Sequence, residues 1–394
     1  MIQTARAPQH SRPSTDASPD APGGSRRRAL LRSVLCSVIL FAAVMSVACS
    51  APDLSVGGPS TAPSSSGSIT AYFTQPSDQT TDGIDKGVVA DLDQAKKTID
   101  LASFDFNLPD VTDALARAEG RGVTVRVVLD EVNGTQILPA SDAPDKQKYN
   151  ALDALAAAHI PVVNGGRSSG LMHDKFILID SAILYVGSWN MSFNDTYRNN
   201  NNLLRIQNST LIANYQAKFN ELFVDHRFGS KATVGAQTPQ LTVDGIAVEN
   251  YFSPPDGVMA KLVALVNAAT KSVHFMAFTY TDDDLANAMI AKHKAGVDVQ
   301  GVIENRGASQ GALPHLYCAG VDVKTDGNPY TMHHKIIILD DQTVITGSFN
   351  FTVSADKYND DNVIILHDHT LAMQYEQEFD RVMSIAKQPA NTSC

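Results

Sequence analysis

The motif His-x-Lys-x4-Asp occurs twice in the chain, in two segments that are far apart in sequence. Its six residues are His173, Lys175, Asp180, His333, Lys335 and Asp340. In an extended strand, residues two apart face the same side, so each histidine is expected to point the same way as its lysine. The motif therefore predicts two imidazole and ammonium pairs, which are groups suited to acid, base or nucleophilic chemistry.

A second motif, Gly-Ser-x-Asn, follows each of these segments at the same distance. It supplies a hydroxyl and an amide to each copy, from Ser188 and Asn190 and from Ser348 and Asn350. Two lysines and such neutral donors can hold the non-bridging oxygens of a phosphodiester, where negative charge accumulates in the transition state. One histidine can attack phosphorus while the other protonates the leaving oxygen and then activates water. The pattern predicts phosphodiester cleavage without a metal ion or other cofactor.

Both motifs lie within a longer internal repeat, because the segment from Tyr72 to about Asp225 recurs from Tyr251 to the C-terminus. In each copy apolar strands alternate with helical patterns, which predicts an α/β fold. We expect two similar α-β-α sandwich lobes packed as a pseudo-twofold pair. The predicted bounds are 70–231 for the first lobe, 232–248 for a connector and 249–394 for the second lobe.

The paired motifs resemble those of the phospholipase D superfamily, and the resemblance extends over residues 70–386. It implies phospholipase D-like lobes that share one active site at their interface and react through a phosphohistidine. His173 and His333 would then be the nucleophile and the general acid/base, with His173 favoured as the nucleophile. The resemblance also implies that the lysines and asparagines of the motifs bind phosphate, with the two serines in support.

The two copies differ at the position of an acid that often orients the catalytic imidazole in this superfamily. The second lobe has Asp361 there, whereas the first lobe has Asn201. A neutral amide favours a protonated imidazole less than a carboxylate does. Two explanations stay open from the sequence: either Asp195 replaces the missing carboxylate, or the two histidines exchange roles.

Several conspicuous residues also have simpler structural interpretations. Asp180 and Asp340 are as consistent with turn formation at strand ends as with catalysis. Trp189 is expected to pack rather than to bind substrate, and Asp282 to cap a helix. His334 follows His333 directly but should point to the other face of the strand, which argues against a shared metal site.

Residues 1–49 are predicted to be a signal peptide. A cluster of arginines precedes the apolar run 33–48, which is shorter than a typical membrane-spanning helix. Cys49 ends a sequence that resembles the bacterial lipoprotein processing box, so the exported protein is expected to be secreted or lipid-anchored outside the cytoplasmic membrane. Residues 50–69 are predicted to be a flexible tether. Cys318 and Cys394 would pair in an oxidising compartment or remain as free thiols.

Charge bears on the class of substrate. The chain has 31 Lys plus Arg against 42 Asp plus Glu, and its first 48 residues hold six of the arginines. The remaining acidic surface repels polyanions, which counts against nucleic acid. We expect a monomeric phospholipase D that hydrolyses glycerophospholipids at a membrane surface, with pocket residues drawn from 132–170. An endonuclease of the same superfamily and a phosphatidyltransferase of the cardiolipin synthase type are the alternatives.

Overall fold

The computed structural model describes residues 64–76, 83–390 and 394. The predicted signal peptide lies outside these residues, as does most of the predicted tether. Two mixed β-sheets of eight strands each organise the described part of the chain, and helices cover them. We refer to the elements around the first sheet as the first lobe and to those around the second sheet as the second lobe. Both sheets belong to one unit, Thr61–Cys394.

The first sheet has the strand order β1-β2-β8-β7-β6-β3-β4-β5. Neighbouring strands are antiparallel except for the parallel group β3, β4 and β5. The carboxyl ends of β3 and β4 therefore lie at the same edge of the sheet as the start of β6, just after His173. The strands are β1 (Ser64–Ser66), β2 (Ile69–Phe73), β3 (Thr98–Ser103), β4 (Thr124–Asp130), β5 (Val162–Gly165), β6 (Phe176–Ile179), β7 (Ile183–Gly187) and β8 (Asn202–Ile206).

The second sheet has the order β13-β12-β11-β14-β15-β16-β10-β9, which places corresponding strands as in the first sheet. Its parallel group is β11, β12 and β13, and β14 begins at the edge where β11 and β12 end. We call this edge of either sheet the site edge. The strands are β9 (Gln240–Val243), β10 (Ile246–Ser253), β11 (Ser272–Ala277), β12 (Asp298–Ile303), β13 (Asp322–Thr325), β14 (Lys335–Leu339), β15 (Thr343–Gly347) and β16 (Asp361–His367).

Ten α-helices complete the described residues. In the first lobe they are α1 (Asp85–Gln94), α2 (Pro109–Gly120), α3 (Ala151–Ala157), α4 (Phe193–Tyr197) and α5 (Ser209–Phe223). In the second lobe they are α6 (Val258–Ala268), α7 (Asp283–Lys294), α8 (Leu313–Cys318), α9 (Val353–Lys357) and α10 (His369–Ile385). Asp282 caps α7 by accepting the amide of Leu285 at 2.9 Å, as predicted.

Helices α5 and α10 form the layer between the two sheets. Both are amphipathic, since α5 buries Leu211, Tyr215, Phe219 and Leu222 and α10 buries Leu371, Tyr375, Phe379 and Val382 at matching intervals. Tyr215 packs edge-on against Phe176 of the first sheet and Phe252 of the second, at ring-centroid distances of 5.1 and 5.0 Å. One apolar core therefore joins the lobes, and each lobe has a second core under its outer helices.

The predicted core strands lie close to their observed bounds. The β-branched runs 123–129 and 297–303 correspond to β4 and β12. The sheet edges differ more, because β9 and the start of β10 fall within the predicted connector 232–248, and β1 and the start of β2 fall within the predicted tether. A twofold relation between the lobes and the exact lobe bounds stay predictions. Within the described residues, no helix combines the length and apolar character needed to cross a bilayer.

Cys318, at the end of α8, and Cys394 form a disulfide with their Cα atoms 5.4 Å apart. The bond closes the C-terminal segment onto the second lobe. Nearby, Lys387 and Thr325 of β13 exchange two backbone hydrogen bonds of 2.7 and 2.9 Å. Of the two possibilities left open by the sequence, pairing is therefore the one found.

Candidate active site

The two histidine motifs lie at the site edges of their sheets and meet between the lobes. His173 and His333 are 4% and 7% exposed, and both lysines are buried. Lys175 Nζ donates to the carbonyl of His173 at 2.7 Å, and Lys335 Nζ donates to the carbonyl of His333 at 2.8 Å. The backbone amide of each histidine donates to the opposite lobe, to Asp360 at 2.9 Å and to Asn200 at 3.0 Å. The loops that carry the histidines are thus held across the interface.

Each imidazole also contacts a side chain of the opposite lobe. His173 Nδ1 lies 2.6 Å from Asp361 Oδ1, and His333 Nδ1 lies 2.9 Å from Asn201 Oδ1. Asp361 therefore orients an imidazole as predicted, and Asn201 occupies the matching place for the other histidine. Because these contacts occupy Nδ1 of both rings, Nε2 is the ring nitrogen that stays available for another partner.

The serines of the Gly-Ser-x-Asn motifs support these partners. Ser348 Oγ donates to Asp361 Oδ1 at 2.6 Å, and Ser188 Oγ donates to Asn201 Oδ1 at 2.8 Å. Both serines are fully buried. Gly187, which precedes Ser188, lets the chain pass close to the neighbouring strand. A Cβ at this position would collide with the carbonyl of Asn202. The two hydroxyls thus orient the side chains that contact the histidines, and their predicted part in substrate binding stays a prediction.

The two motif asparagines differ in their surroundings. Asn190 donates from Nδ2 to Asp195 Oδ2 at 2.6 Å and accepts the amide of Asp105 on Oδ1 at 3.2 Å. Asn350 Oδ1 is buried without a hydrogen-bond partner. Asn190 is therefore held within the first lobe, whereas the Oδ1 acceptor of Asn350 has no hydrogen-bond partner.

Asp180 and Asp340 do not reach the histidines, which corrects their predicted catalytic role. Asp180 accepts the amides of residues 96–98 at 2.7 to 2.9 Å, and Asp340 accepts those of residues 270–272 at 2.7 to 3.0 Å. Each stands at the first position of a three-residue hairpin connection, with φ of 53° and 56°, a conformation that Asp tolerates. Strands β6 and β14 carry these residues to the edge opposite the site edge.

Replacing Asp180 with alanine should lower the free energy of unfolding by about 2–4 kcal/mol, because three amides lose their acceptor and alanine disfavours positive φ. Asp180→Asn keeps the turn conformation and one acceptor, so its loss should be smaller. Urea unfolding followed by circular dichroism measures both. Turnover of a soluble phosphodiester by the folded Asn variant should match that of the wild type, and a large loss of turnover at unchanged stability would restore a catalytic role.

Two phenylalanines belong to the site and were not identified from the sequence. Phe104 and Phe278 follow β3 and β11, and each ring stands edge-on to a motif histidine at 4.7 Å. The lysine Nζ atoms lie over the same rings, at 5.0 Å for Lys175 and 4.7 Å for Lys335. The signal was present in the repeat, because phenylalanine occupies the same position of both copies.

Burial lowers the pKa of both motif lysines, and the charge of Lys175 adds to the effect on Lys335. Burial lowers the pKa of Lys175 to about 8, although Asp361 and Asp195 oppose the shift. Burial and then the charge of Lys175 lower the pKa of Lys335 well below its usual range. Two buried ammonium groups near each other favour the binding of an anion, which would restore both charges.

The surroundings of both motif histidines disfavour a positive charge on the ring when no substrate is bound. Burial, followed by Lys175 and Lys335, lowers the pKa of His173 well below its usual value. Burial raises the pKa of Asp361 to about 7 against the opposing charge of Lys175. The short contact between His173 and Asp361 therefore holds a proton that belongs to the pair rather than to one residue.

His334 and Trp189, which lie near the motifs, have the structural surroundings that the sequence predicts. His334 points away from His333, and its Nε2 lies 2.8 Å from Glu378 Oε1 on α10. Trp189 is fully buried and donates to Thr196 Oγ1 at 3.1 Å.

A known domain family matches both halves of the chain. The family model described as "Cardiolipin synthase, PLD-like domain" matches residues 88–223 and 262–383. Each matched range contains one histidine motif.

Two curated proteins match about one lobe. Phospholipase D of Rickettsia prowazekii is 38% identical over 134 residues, which cover 34% of this chain and 65% of that protein. Mitochondrial cardiolipin hydrolase of Xenopus tropicalis is 35% identical over 129 residues, which cover 32% of this chain and 61% of that protein. In both cases the match spans less than two thirds of the relative's own length.

A solved structure matches both lobes together. Phosphatidylserine synthase of Haemophilus influenzae Rd KW20 aligns with a TM-score of 0.60 and 14% identity, over 80% of this chain and 86% of that chain. At this identity the likeness concerns the fold alone, and it confirms the predicted α/β class.

Proposed function

The chain belongs to the phospholipase D-like domain family, and from this membership we propose that it is a phosphodiesterase that hydrolyses glycerophospholipids as a phospholipase D. The observation that carries the proposal is the meeting of two buried histidine and lysine pairs at the interface of the lobes. Each imidazole is anchored through Nδ1 by the opposite lobe. Both rings can therefore present Nε2 to one phosphodiester bound between them.

In the first step, Nε2 of neutral His173 attacks phosphorus, and the bond from phosphorus to the head-group oxygen breaks. The negative charge of the bound diester favours protonation of His333, and the protonated ring gives a proton from Nε2 to that oxygen, so the head group leaves as an alcohol. In the second step, His333 removes a proton from water, the water oxygen bonds to phosphorus, and the bond to His173 breaks. Phosphatidate leaves, and both histidines return to their starting states.

The lysines act on the phosphoryl oxygens during both steps. An anion between Lys175 and Lys335 raises the pKa of both ammonium groups, which burial had lowered. Negative charge grows on the non-bridging oxygens as the new bond forms, so these contacts strengthen in the transition state. Asn350 can complete the phosphate site only through Nδ2, because its unpartnered Oδ1 accepts hydrogen bonds and cannot donate to a phosphoryl oxygen.

The surface around the cleft supports a lipid substrate. Among the large apolar side chains that are exposed, four lie in loops beside the site edges: Val132, Ile137, Tyr330 and Tyr358. Val132 follows β4 beside Asp130, whose charge acts on His173, and the carbonyl of Tyr358 abuts Gly170 on the loop that precedes His173. Tyrosines and aliphatic side chains suit the boundary between water and acyl chains. The names of two matched relatives, phospholipase D and cardiolipin hydrolase, further support a lipid substrate.

Export is part of the proposal. A disulfide such as Cys318–Cys394 persists in oxidising compartments and is rare in the cytosol. The predicted signal peptide, which lies outside the described residues, agrees with this location. We propose that the protein works outside the cytoplasmic membrane, either secreted or anchored at Cys49.

The deciding experiment compares substrates for the purified protein with EDTA present. Choline release from phosphatidylcholine vesicles is expected, with no cleavage of single-stranded DNA. DNA cleavage with intact vesicles would assign a nuclease instead, and loss of activity in EDTA would contradict the metal-independent mechanism. Added short alcohols reveal transfer, because they would capture the phosphohistidine in place of water.

Ile137→Asp should lower choline release from vesicles by about tenfold, because a charged side chain replaces an apolar contact with the membrane. Turnover of a soluble aryl phosphodiester should stay at the wild-type level, since the cleft is unchanged. Met373→Asp is the matched control, because Met373 is also exposed but lies at the start of α10, away from the site edge. Equal losses on both substrates would remove the membrane contact from the proposal.

A further inference from the structure

The two histidines have unequal partners. His173 contacts a carboxylate, Asp361, whereas His333 contacts the neutral amide of Asn201. In the proposed reaction His333 must carry a proton to the leaving oxygen. An imidazole surrounded by cations holds a proton poorly, so a compensating negative charge is expected near it.

We propose that Asp195 is the carboxylate partner of His333 and acts as a positioning residue for it. Asp195 Oδ2 lies 3.6 Å from His333 Nδ1. The inference rests on the proposed function, in which His333 is the general acid/base. Asp195 belongs to α4 of the first lobe, so this contact also crosses the interface.

The carboxylate of Asp195 is held in place by other donors. Its Oδ2 accepts the backbone amide of Asn190 at 3.0 Å and the Asn190 side chain at 2.6 Å. Its Oδ1 accepts Asn199 Nδ2 at 2.5 Å. The carbonyl of Asp195 accepts Asn201 Nδ2 at 3.1 Å, so the amide that touches His333 is itself fixed by Asp195.

A comparison of the lobes shows that the acid has changed position. Helices α4 and α9 correspond, because Ser192 and Thr352 cap them in the same way. In this alignment Asp195 corresponds to Ala355, and Asn201 corresponds to Asp361. Each lobe therefore supplies one carboxylate to the histidine of the other lobe, but from a different place in its sequence.

The charges around His333 agree with this role. Burial, Lys335, Lys175 and His173 all lower the pKa of His333, and Asp195 raises it. Burial would raise the pKa of Asp195, but His333 and the amides of Asn199 and Asn190 outweigh burial and lower it. A second acid faces Asp195: burial, followed by the charge of Asp195, raises the pKa of Asp105 to about 7. Asp195 is thus the ionised member of the two.

The test exchanges the acid between the two positions. Asp195→Asn should lower kcat/KM for a soluble phosphodiester by about 10- to 100-fold near neutral pH. Because loss of a negative charge lowers the pKa of His333, the alkaline limb of the pH profile should move to lower pH. The double variant Asp195→Asn with Asn201→Asp restores a carboxylate beside Nδ1, so it should regain most of the activity and the wild-type limb.

Ser192→Ala is the control, because it removes the cap of α4 but keeps the carboxylate. It should lower stability without moving the limb. A wild-type profile in Asp195→Asn, or a loss that the second substitution does not rescue, would overturn the inference. Titration of the His333 ring by nuclear magnetic resonance separates this outcome from failure of the proposed function. The His333 pKa should fall in Asp195→Asn and recover in the double variant even if no diester is turned over.

Discussion

Replacing either motif histidine with alanine should reduce phosphodiester turnover by at least about 10³-fold, because nucleophile and proton donor act as one unit. The two variants should fail at different steps. With an aryl diester, whose leaving group needs no proton, His333→Ala should still form the phosphohistidine but hydrolyse it slowly. His173→Ala should form none.

Mass spectrometry of the acid-labile phosphoryl group locates the nucleophile. In His333→Ala the phosphoryl group is expected on His173. A label on His333 in the reciprocal variant would mean that the two histidines exchange roles. His315→Ala, at an exposed histidine on α8, serves as the control and should turn over the diester like the wild type.

Lys335→Met should lower kcat by about 10²- to 10³-fold while it makes the free protein more stable. The catalytic loss follows from the missing contact with the phosphoryl oxygen. The gain in stability follows because burial and Lys175 make the charge on Lys335 unfavourable. Thermal unfolding and diester turnover measure the two effects, and Lys271→Met, at an exposed lysine beyond the opposite edge, should leave turnover unchanged.

The pH dependence of stability has a definite sign for these lysines. Burial lowers the pKa of Lys175 to about 8, below its value in the unfolded chain. The unfolded state therefore binds more protons above that pH, so this lysine makes the free energy of unfolding rise as the pH increases from about 8 to 10. This slope should persist in Lys335→Met, because it comes from the burial of Lys175. A fall in stability at neutral pH in this variant would contradict the repulsion between the two lysines.

The local pattern of the sequence predicts much of the fold. Continuous β-branched runs identify core strands such as β4 and β12, because a strand buried on both faces needs apolar residues throughout. Short edge strands carry a weaker pattern, so β9 was assigned to a connector. The spacing of the motif also groups Asp180 with His173, although a four-residue strand separates them and places them at opposite edges of the sheet.

The membership of the site was predictable, but its connections were not. The repeat identifies both histidines, both lysines and Asp361 from their types and positions. Nothing in the local sequence indicates that Asp361 contacts the histidine 188 residues away rather than the one in its own lobe. That contact depends on how the lobes dock, which is decided by the packing of α5 and α10 between the sheets. The orienting role of the buried serines depends on the same long-range geometry.

The reciprocal anchoring of the histidines has a consequence for how the active unit assembles. Each half of the chain holds the partner that the other half's imidazole needs, so neither half contains a finished centre. Because one polypeptide carries both halves, their meeting is intramolecular, and the fraction of assembled centres does not fall on dilution. A single molecule, far from any other copy, therefore holds both side chains that contact the histidines. Because the two halves are separate stretches of one chain, their sequences need not be identical. Asn201 and Asp361 can therefore differ, whereas two copies of one shorter chain would carry the same residue at both positions.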